Sequence, residues 1–232
     1  MTKISVIVPA YNEEKNIGSC LKSLTNQDFD QNEYEIILVN NNSTDKTREI
    51  ALNYKGVKVV DETNQGYVQA LIRGCQEAKG EIFLFTDADS LIPKDWVSKY
   101  YEAYLDKNVV VAGGPGKFRP ITWQTFFLEP ILYIGGVMFK LSNGFNFSVR
   151  KKTYLECQGF CPKVNFNADT CLQLKAKRLG KSLFLRNNPV VTSSRRFRKL
   201  NSLVYIAKSL TNLLCLILSG KTLFYEFGNC RD

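Results

Sequence analysis

The sequence predicts an α/β fold with a mostly parallel sheet that helices cover on both faces. Short β-rich apolar runs alternate with segments of helical periodicity, at a spacing typical of strand–helix–strand crossovers. The hydrophobic content of 44% and the charged content of 23% are those of an ordinary folded protein. The 232 residues suffice for one sizeable domain with an appended segment.

Strand and helix signals alternate in order through residues 1–112. The strands are expected at residues 4–8, 35–39, 57–60, 82–85 and 109–112, and the helices at residues 14–24, 43–55, 65–78 and 96–105. Ligands of such sheets bind outside the carboxyl ends of the strands. The polar segments 9–14, 40–45 and 87–90 each follow one of these strands, so we expect them to converge on one crevice.

The next stretch of the chain has a different character. Residues 113–120 are rich in turn-forming Gly and Pro residues, and residues 121–141 are strongly apolar. Glu129 and Pro130 place a charge and a helix break inside the apolar stretch, which makes it a poor candidate for a membrane span. Two alternatives remain for this stretch: a pair of core helices, or a greasy groove or surface that contacts lipid.

Strand and helix signals return after the apolar stretch. Residues 145–150 predict a strand followed by a short helix, and residues 170–180 predict a longer helix. A last strand is expected through Phe184 and Val190. The sequence contains no internal repeat, so we expect a single folded domain over residues 1–200.

The charge balance favours an anionic partner. The chain has 31 Lys and Arg residues against 22 Asp and Glu residues, a formal net charge of +9. A nucleic acid, a phosphorylated small molecule and an anionic membrane surface all satisfy this balance. The basic cluster Arg195, Arg196, Arg198 and Lys199 does not decide between them, because such runs are usually solvated surface.

Cysteine usage and the N-terminal residues both indicate a cytosolic protein. The seven cysteines are odd in number and irregular in spacing, which favours reduced thiols over a disulfide framework. A zinc site formed by Cys157, Cys161 and Cys171 is a weaker alternative, since the chain has no CxxC pair and no histidine. Residues 1–14 contain too short an apolar core for a signal peptide.

Two aspartates stand directly after the apolar run at residues 82–85. Asp87 and Asp89 would repel each other at the end of a buried strand unless a cation joins them. Carboxylate oxygens are ligands that Mg²⁺ and Mn²⁺ prefer, and Mg²⁺ typically completes its shell with water and substrate phosphates. This Asp-x-Asp motif therefore predicts that Asp89 and Asp87 bind a divalent cation.

Four segments occur in an order that is far more specific than the Asp-x-Asp motif. They read SVIVPAYNEEKNI, EIILVNNNSTDKT, NQGYVQALIRGCQEAKGEIFLFTDADS, and NFSVRKKTYLECQGF followed by NADTCLQLKAKRLG. With these segments the chain resembles the family 2 glycosyltransferases over residues 3–200. The resemblance implies a GT-A fold, which has a Rossmann-like, mostly parallel sheet. It also implies a nucleotide-sugar-binding half at residues 1–112 and an acceptor-side half at residues 113–200.

The same resemblance implies a reaction. A nucleotide-diphosphate sugar, most commonly a UDP-sugar in this family, would give a hexosyl or N-acetylhexosaminyl group to an acceptor hydroxyl in one inverting displacement. The cofactor would be Mg²⁺ or Mn²⁺, with Asp87 near the ribose and metal and Asp89 as the more direct metal ligand. A lipid-linked or cell-envelope glycan is the acceptor expected if the C-terminal segment contacts a membrane, and no nucleic-acid partner is expected.

Two other functions stay open at this point. One is a non-catalytic nucleotide-sugar-binding or scaffold protein on the same fold, because the chain departs from the family pattern at two positions described below. The other is a nucleotidyltransferase on a similar sheet. It is disfavoured because the first strand leads into PAYNEE and not into a Gly-rich phosphate loop that carries an arginine.

The resemblance assigns donor-binding residues at the ends of the first two strands. Pro9 and Tyr11 offer flat apolar surface on which a nucleobase can stack. Glu13 would accept hydrogen bonds from ribose or base, and a first-turn acid favoured by the helix dipole is the alternative. Family members carry a base-reading aspartate where this chain has amides such as Asn40 and Asn42. Because an amide both donates and accepts, the choice of nucleotide stays open.

Other residues are assigned to the phosphates and to proton transfer. Arg73 matches a position whose guanidinium lies near the donor phosphates or the Asp-x-Asp acid. Asp169 matches the aspartate that serves as base, although Ala168 replaces the glutamate usual beside it, and an N-cap role is the alternative. Some relatives place a metal-binding histidine where this chain has Arg195 and Arg196. These arginines are expected to neutralise the diphosphate leaving group.

The last predicted element is an amphipathic helical segment at residues 201–232. Apolar residues recur at helical spacing from Leu203 to Leu218, directly after the basic cluster. The stretch between Lys208 and Lys221 is shorter than the ~20 residues that a membrane span requires. Two alternatives remain. The segment lies in the membrane interface, which makes the protein peripheral on the cytosolic face of the membrane, or it packs on the core of the domain.

Overall fold

A computed structural model describes residues 2–162, 164, 167–197, 207–208, 211–212 and 215 of the chain. Within this part the strands are β1 (Ile4–Ala10), β2 (Tyr34–Asn40), β3 (Val57–Asp61), β4 (Ile82–Phe85), β5 (Val109–Gly113), β6 (Gly116–Arg119), β7 (Phe147–Arg150), β8 (Lys181–Phe184) and β9 (Val190–Ser193). The helices are α1 (Ile17–Thr25), α2 (Thr47–Leu52), α3 (Tyr67–Glu77), α4 (Trp96–Ala103), α5 (Trp123–Phe139), α6 (Lys151–Glu156) and α7 (Ala168–Ala176), and a 3₁₀ turn spans Arg195–Phe197.

Seven of these strands form one sheet in the order β3-β2-β1-β4-β7-β5-β8. Neighbouring strands are parallel except at β7, which runs antiparallel to both β4 and β5. Strands β1 and β4 are buried along their whole length, which is why they read as continuous apolar runs. The predicted α/β class with a mostly parallel sheet is confirmed. Strands β6 and β9 pair in a separate two-stranded sheet.

Two hydrophobic clusters lie on the opposite faces of the sheet. Successive residues of a strand point to opposite faces, and Val6 joins one cluster while Ile7 joins the other. Helices α1 and α4 pack in the first cluster, where Trp96 is fully buried. Helices α3, α6 and α7 pack in the second, around side chains such as Leu71. Helices therefore cover both faces, as the sequence predicts.

The loops after β1 and β2 bind each other through side-chain hydrogen bonds. The backbone N–H of Thr44 donates to Oδ1 of Asn12 at 2.8 Å. The backbone N–H of Glu14 donates to Oδ2 of Asp45 at 3.0 Å. Because the polar residues before α2 are used in this clasp, the helix begins at Thr47, later than the sequence predicts. The clasp holds two of the expected binding segments side by side.

Two expectations for the second half of the chain are wrong. Residues 113–120, expected as turns, contain β6, and the expected last strand through Phe184 and Val190 is two strands in different sheets. Strand β6 depends on pairing with β9, whose register joins Gly116 to Val190 across a long stretch of chain. Gly116 also packs against the ring of Phe145, where a side chain would not fit. Gly116 is therefore present because the packing is close and not because the chain turns. The Gly and Pro content of residues 113–120 predicted turns where the structure has a strand.

Residues 121–141 contain a single helix, α5, and not a pair of core helices. Pro130 lies inside this helix, which begins with a capping box at Thr122. Glu129 is not an unpaired buried charge, because its Oε1 accepts from the backbone N–H of Phe118 at 2.6 Å. Most of the large apolar side chains of α5 are exposed, so the expectation that they form core is wrong.

The predicted helical segment at residues 201–232 falls almost entirely outside the described residues. The five positions described there, residues 207, 208, 211, 212 and 215, are helical. In the part of the chain that the structure describes, no helix is long and apolar enough to cross a membrane.

A buried amide joins the two halves of the sequence beneath the crevice. Asn146 has no exposed surface, and its Nδ2 donates to the carbonyls of Pro115 at 2.9 Å and Asn188 at 2.8 Å. Its Oδ1 accepts from the indole N–H of Trp96 at 2.8 Å and from the hydroxyl of Tyr100 at 2.9 Å. Each polar atom of the amide therefore has two partners.

We expect Asn146→Ala to lower the free energy of unfolding by about 3 kcal/mol or more. The change leaves several buried polar groups without this partner, and each such group costs about 1–3 kcal/mol. Urea denaturation followed by circular dichroism measures the loss. Asn187→Ala is the matched control, because that side chain is exposed in the turn before β9. Equal stability of the two variants would contradict the assignment.

Candidate active site

The two aspartates after β4 are enclosed and hydrogen-bonded by neighbouring elements. The hydroxyl of Tyr67, at the start of α3, donates to Oδ1 of Asp87 at 3.0 Å. The hydroxyl of Thr192, on β9, donates to Oδ1 of Asp89 at 3.0 Å. Burial, together with the neighbouring carboxylate of Asp89, raises the pKa of Asp87 to about 6. Burial also raises the pKa of Asp89, although Arg195 opposes the shift. The pair therefore carries negative charge that a cation would stabilise.

A single guanidinium joins two of the acids. Nη1 of Arg195 donates to Oε2 of Glu13 at 2.8 Å, and Nη2 contacts both Oε1 of Glu13 and, at 3.1 Å, Oδ2 of Asp89. These contacts raise the pKa of Arg195 against the opposing effect of burial. Glu13 is buried and also accepts from Nδ2 of Asn16 at 2.9 Å. The loop after β1, the end of β4 and the 3₁₀ turn after β9 are thereby tied together.

Asp169 lies in the first turn of α7 and is not the N-cap, which is Asn167. Burial raises the pKa of Asp169 to about 6, while the backbone N–H groups of Thr170 and Gly144 and the charge of Arg196 favour its ionised form. A Cβ at Gly144 would lie only 3.1 Å from Oδ2 of Asp169, so the glycine lets the backbone approach the carboxylate. Asp169 is therefore an enclosed carboxylate whose pKa lies above its usual range.

Asp87, which follows β4, and Asp169, on α7, influence the same neighbouring groups. Asp87 and Asp169 both raise the pKa of Tyr67, whose largest shift comes from burial, and Arg196 lowers it. Arg196 also lowers the pKa of Asp87 and Asp169. The structure thus brings together Asp87, Asp89, Asp169, Glu13, Arg195 and Arg196 in one crevice. The segments 9–14 and 87–90 meet there as expected, and the roles assigned to these residues stay predictions.

The amide that ends β2 is oriented by an acid that the sequence reasoning missed. Nδ2 of Asn40 donates to Oδ1 of Asp61 at 2.8 Å, and Nε of Arg48 donates to the same carboxylate at 3.1 Å. Oδ1 of Asn40 is buried and has no hydrogen-bond partner within the described part of the chain. Asp61 is the register partner of Asn40 in the pairing of β3 with β2, and this pairing becomes visible with the tertiary structure. Asn40 therefore has one buried acceptor that no described group satisfies.

The other expected donor residues have less direct positions. Nδ2 of Asn42 donates to the carbonyl of Thr63 at 2.8 Å, so this amide holds the loop before α3. Arg73 forms its ion pair with Glu77 at 2.8 Å along the same helix, so its expected contact with the phosphates stays a prediction. Pro9 is buried within β1, whereas Tyr11 directly after it is partly exposed at the crevice end of the strand. Tyr11, unlike Pro9, therefore has exposed surface on which a nucleobase could stack.

The Asp-x-Asp pair fits a divalent cation by the chemistry of its oxygens. Among the residues that the structure describes, no group of three or more His, Cys, Asp or Glu side chains is arranged to hold a metal ion. Two carboxylates nevertheless suffice for Mg²⁺, which often takes one or two from the protein and the rest of its shell from water and phosphates. The guanidinium of Arg195 against Asp89 shows that the position attracts a cation. The residues present therefore fit a metal whose shell the substrate completes.

The sheet and its acidic crevice define an α/β protein of the kind that binds ligands at the carboxyl ends of its strands. The sequence pattern of the family described as Glycosyl transferase family 2 matches residues 5–167. The chain belongs to glycosyl transferase family 2, and the family predicted from its motifs is confirmed.

Curated relatives extend well beyond the matched region. The probable glycosyltransferase YdaM of Bacillus subtilis is 30% identical over 203 residues, which are 78% of this chain and 48% of that protein. The poly(ribitol-phosphate) beta-N-acetylglucosaminyltransferase TarS of Staphylococcus aureus is 40% identical over 113 residues, which are 47% of this chain and 20% of that protein. The chain thus spans about half or less of the length of these relatives.

Solved structures share the fold. TarS in complex with UDP has a TM-score of 0.69 at 23% identity, over 94% of this chain and 73% of that chain. The mannosyltransferase PcManGT from Pyrobaculum calidifontis, in complex with GDP-Man and Mn²⁺, has a TM-score of 0.70 at 24% identity. That match covers 90% of this chain and 64% of the other. The predicted GT-A fold is confirmed.

We expect Arg195→Ala to lower the free energy of unfolding by about 1 kcal/mol near neutral pH. Its loss leaves Glu13 and Asp89 without their shared cation, and solvent screens part of the cost because the arginine side chain is 45% exposed. Urea denaturation measures the change. Arg186→Ala, which removes an exposed arginine, is the control, and identical curves for the two variants would contradict the bridging role.

Proposed function

We propose that the protein is a metal-dependent, inverting glycosyltransferase that moves a sugar from a nucleotide-diphosphate donor to an acceptor hydroxyl. The observation that carries this proposal is the shared crevice in which Tyr67 donates to Asp87 of the Asp-x-Asp pair and in which Asp87 and Asp169 both raise the pKa of Tyr67. Such a reaction requires a site for the diphosphate and its metal beside a carboxylate that takes a proton. Membership of glycosyl transferase family 2 supports the same reaction class.

The nucleoside is proposed to bind at the carboxyl ends of β1 and β2. The partly exposed ring of Tyr11 is proposed to stack on the base, with the buried Pro9 fixing the end of β1 from which Tyr11 extends. Asn40, whose Oδ1 has no hydrogen-bond partner within the described part of the chain, is the amide proposed to accept from a ring N–H of the base. Glu13 and Asn42 border this subsite. A UDP-sugar of hexosyl or N-acetylhexosaminyl type is favoured, since the related TarS was solved with UDP-GlcNAc. GDP-Man, bound by PcManGT, is the competing donor.

The diphosphate is proposed to lie between the acids of β4 and the arginines of the 3₁₀ turn. Asp89 and Asp87 would hold Mg²⁺ or Mn²⁺, which supplies positive charge to the diphosphate when bound. Arg195 and Arg196 add guanidinium donors that stabilise the charge of the leaving nucleoside diphosphate. Arg73, on α3, is proposed to assist them through a rearrangement of its pair with Glu77.

Asp169 is proposed to act as the general base. The acceptor oxygen forms the new bond to the anomeric carbon while the bond from that carbon to the diphosphate oxygen breaks, and the hydroxyl proton passes to Asp169. With a pKa of about 6, the carboxylate is ionised at neutral pH and still basic enough to take the proton. Because attack and departure occur on opposite faces, the configuration inverts.

The acceptor is proposed to be a lipid-linked or cell-envelope glycan. TarS is named for poly(ribitol-phosphate), and a further relative, 35% identical over 116 residues, is a dolichol-phosphate mannosyltransferase of Pyrococcus furiosus. Work at such acceptors suits a protein on the cytosolic face of a membrane. The amphipathic segment at residues 201–232 is proposed to contribute a peripheral contact there.

A non-catalytic nucleotide-sugar-binding protein is the second candidate. Two observations favour it: Ala168 stands beside Asp169, and amides stand at the end of β2. Purified protein is incubated with Mn²⁺, a panel of nucleotide sugars and candidate acceptors, and released nucleoside diphosphate is measured. Donor-dependent release with sugar transfer supports the enzyme. Donor binding without transfer or hydrolysis supports the binding protein.

We expect Asp89→Asn to abolish the metal-dependent part of donor binding. A neutral amide does not replace the charge of a carboxylate on Mg²⁺ or Mn²⁺. Calorimetric titration of UDP with and without Mn²⁺ checks this, and Asp28→Asn, at an exposed site, is the control. If Mn²⁺ strengthens UDP binding equally in both variants, Asp89 is not a metal ligand.

We expect Asp169→Asn to spare donor binding and to lower turnover by about 10² to 10⁴-fold. Wild-type turnover should fall as the pH drops below about 6, because the base becomes protonated, and the variant should lose this dependence. Burial raises the folded-state pKa, so the ionised carboxylate opposes folding above that pH, and the variant should be at least as stable at pH near 8. Turnover within a few-fold of wild type, with reduced stability, would reassign Asp169 to a structural role.

A further inference from the structure

Helix α5 exposes a continuous apolar face to solvent. The large apolar side chains of this outer face are Trp123, Phe126, Phe127, Ile131, Ile134 and Met138, each between 56% and 68% exposed. Single exposed apolar residues are ordinary, but a contiguous apolar surface on a folded protein indicates a binding partner. The outer face of α5 is such a surface.

The outer face cannot turn inward, because the opposite side of the helix is fixed to the domain. Leu128 and Leu132 pack against the first hydrophobic cluster. Gly136 lies directly on the ring of Phe184, too close for any side chain. Glu129 points to the same side and accepts from the backbone N–H of Phe118. The exposure is therefore a consequence of how the helix is anchored.

Lysines flank both ends of α5, and among the residues of α5 itself no acid lies on the outer face. Lys117 precedes α5 and Lys140 ends it, and both are exposed. Lys177 donates to the carbonyl of Phe139 at the end of the helix, and burial and the neighbouring Lys140 lower the pKa of Lys177. The acid within residues 121–141 is Glu129, which is turned inward. A partner of this face would meet apolar surface with a cationic border.

A shallow pocket of about 160 Å³ opens beside the outer face. It is lined by Tyr133, Ile134, Val137, Met138 and Arg186. Four apolar side chains and one exposed guanidinium suit a molecule with a hydrocarbon part and an anionic head. The pocket thus combines apolar side chains with a cation, as the outer face of α5 does.

We propose that the outer face of α5 binds the surface of an anionic phospholipid bilayer. Aromatic and aliphatic side chains with lysine and arginine at the border are typical of elements that lie about 5–10 Å deep in the head-group region. The helix has 17 residues and one side fixed to the domain, so it lies on the membrane without crossing it. This contact does not depend on the proposed transfer reaction.

The position of α5 relates this contact to the crevice. Residues 140–144 directly follow α5. The last of them, Gly144, has a backbone N–H that favours the ionised form of Asp169. Ser142 in this connection donates its backbone N–H to Oε1 of Gln173, on α7, at 2.9 Å. A bilayer bound at the outer face would therefore be linked, through this connection, to the backbone that contacts Asp169.

Flotation of the full chain with vesicles tests the proposal. Vesicles of phosphatidylcholine with phosphatidylglycerol should bind the protein, pure phosphatidylcholine should bind it less, and high salt should weaken the binding. We expect Phe127→Ser combined with Ile131→Ser to weaken binding by at least about tenfold. We expect Lys140→Glu to weaken it by at least about fivefold on anionic vesicles.

Matched variants away from α5 serve as controls. Leu52→Ser combined with Leu105→Ser removes equally exposed apolar residues, and Lys55→Glu reverses an exposed charge elsewhere. Circular dichroism and UDP titration establish that every variant folds and retains its donor site. Binding that survives the α5 changes would overturn the proposal and assign membrane contact to another segment.

A second outcome would also overturn the proposal. If the wild-type chain does not float but forms a dimer that Phe127→Ser combined with Ile131→Ser converts to a monomer, a second copy of the chain covers the outer face. Size-exclusion chromatography with light scattering measures this. Unchanged UDP titration in the same variant separates failure of the membrane contact from failure of the proposed transferase function.

Discussion

The repulsion among carboxylates at one edge of the sheet constrains the rest of the site. Glu13, Asp87, Asp89 and Asp169 lie there in largely enclosed positions, and burial raises the pKa of the last three. Arg195 offsets part of this repulsion by bridging Glu13 to Asp89. Because the arginine comes from the 3₁₀ turn after β9, the small β6–β9 sheet has to be formed before the crevice is complete.

The enclosed carboxylates lower the stability of the fold and make charged groups available for binding. A carboxylate whose pKa is raised by burial lowers the free energy of unfolding when it is ionised. Function explains why such a carboxylate persists, because a cation or a proton can bind it there. Tyr67 and Thr192 hold the two aspartates that follow β4 by hydrogen bonds that do not neutralise them. The crevice therefore keeps its negative charge available to a cation, while Asn146 supplies rigidity beneath it.

The molecule also separates two kinds of surface. The crevice at the ends of β1, β2 and β4 is polar and charged, whereas the outer face of α5 is apolar with a cationic border. The connection at residues 140–144 joins the two and includes the backbone that contacts Asp169. A ligand of the crevice and a partner of the outer face would thus bind at chemically distinct surfaces.

The sequence by itself determined the strand–helix alternation, the bounds of β4 and the acidic motif that follows it, because these depend on local apolar runs and on the ends of strands. Tertiary structure decided the antiparallel insertion of β7, the pairing of β6 with β9, the orientation of α5 and the bridge from Arg195 to Glu13. Each of these joins residues far apart in the chain, so neither periodicity nor composition records it. Asp61 was overlooked for the same reason, since its role comes from the register of β3 against β2.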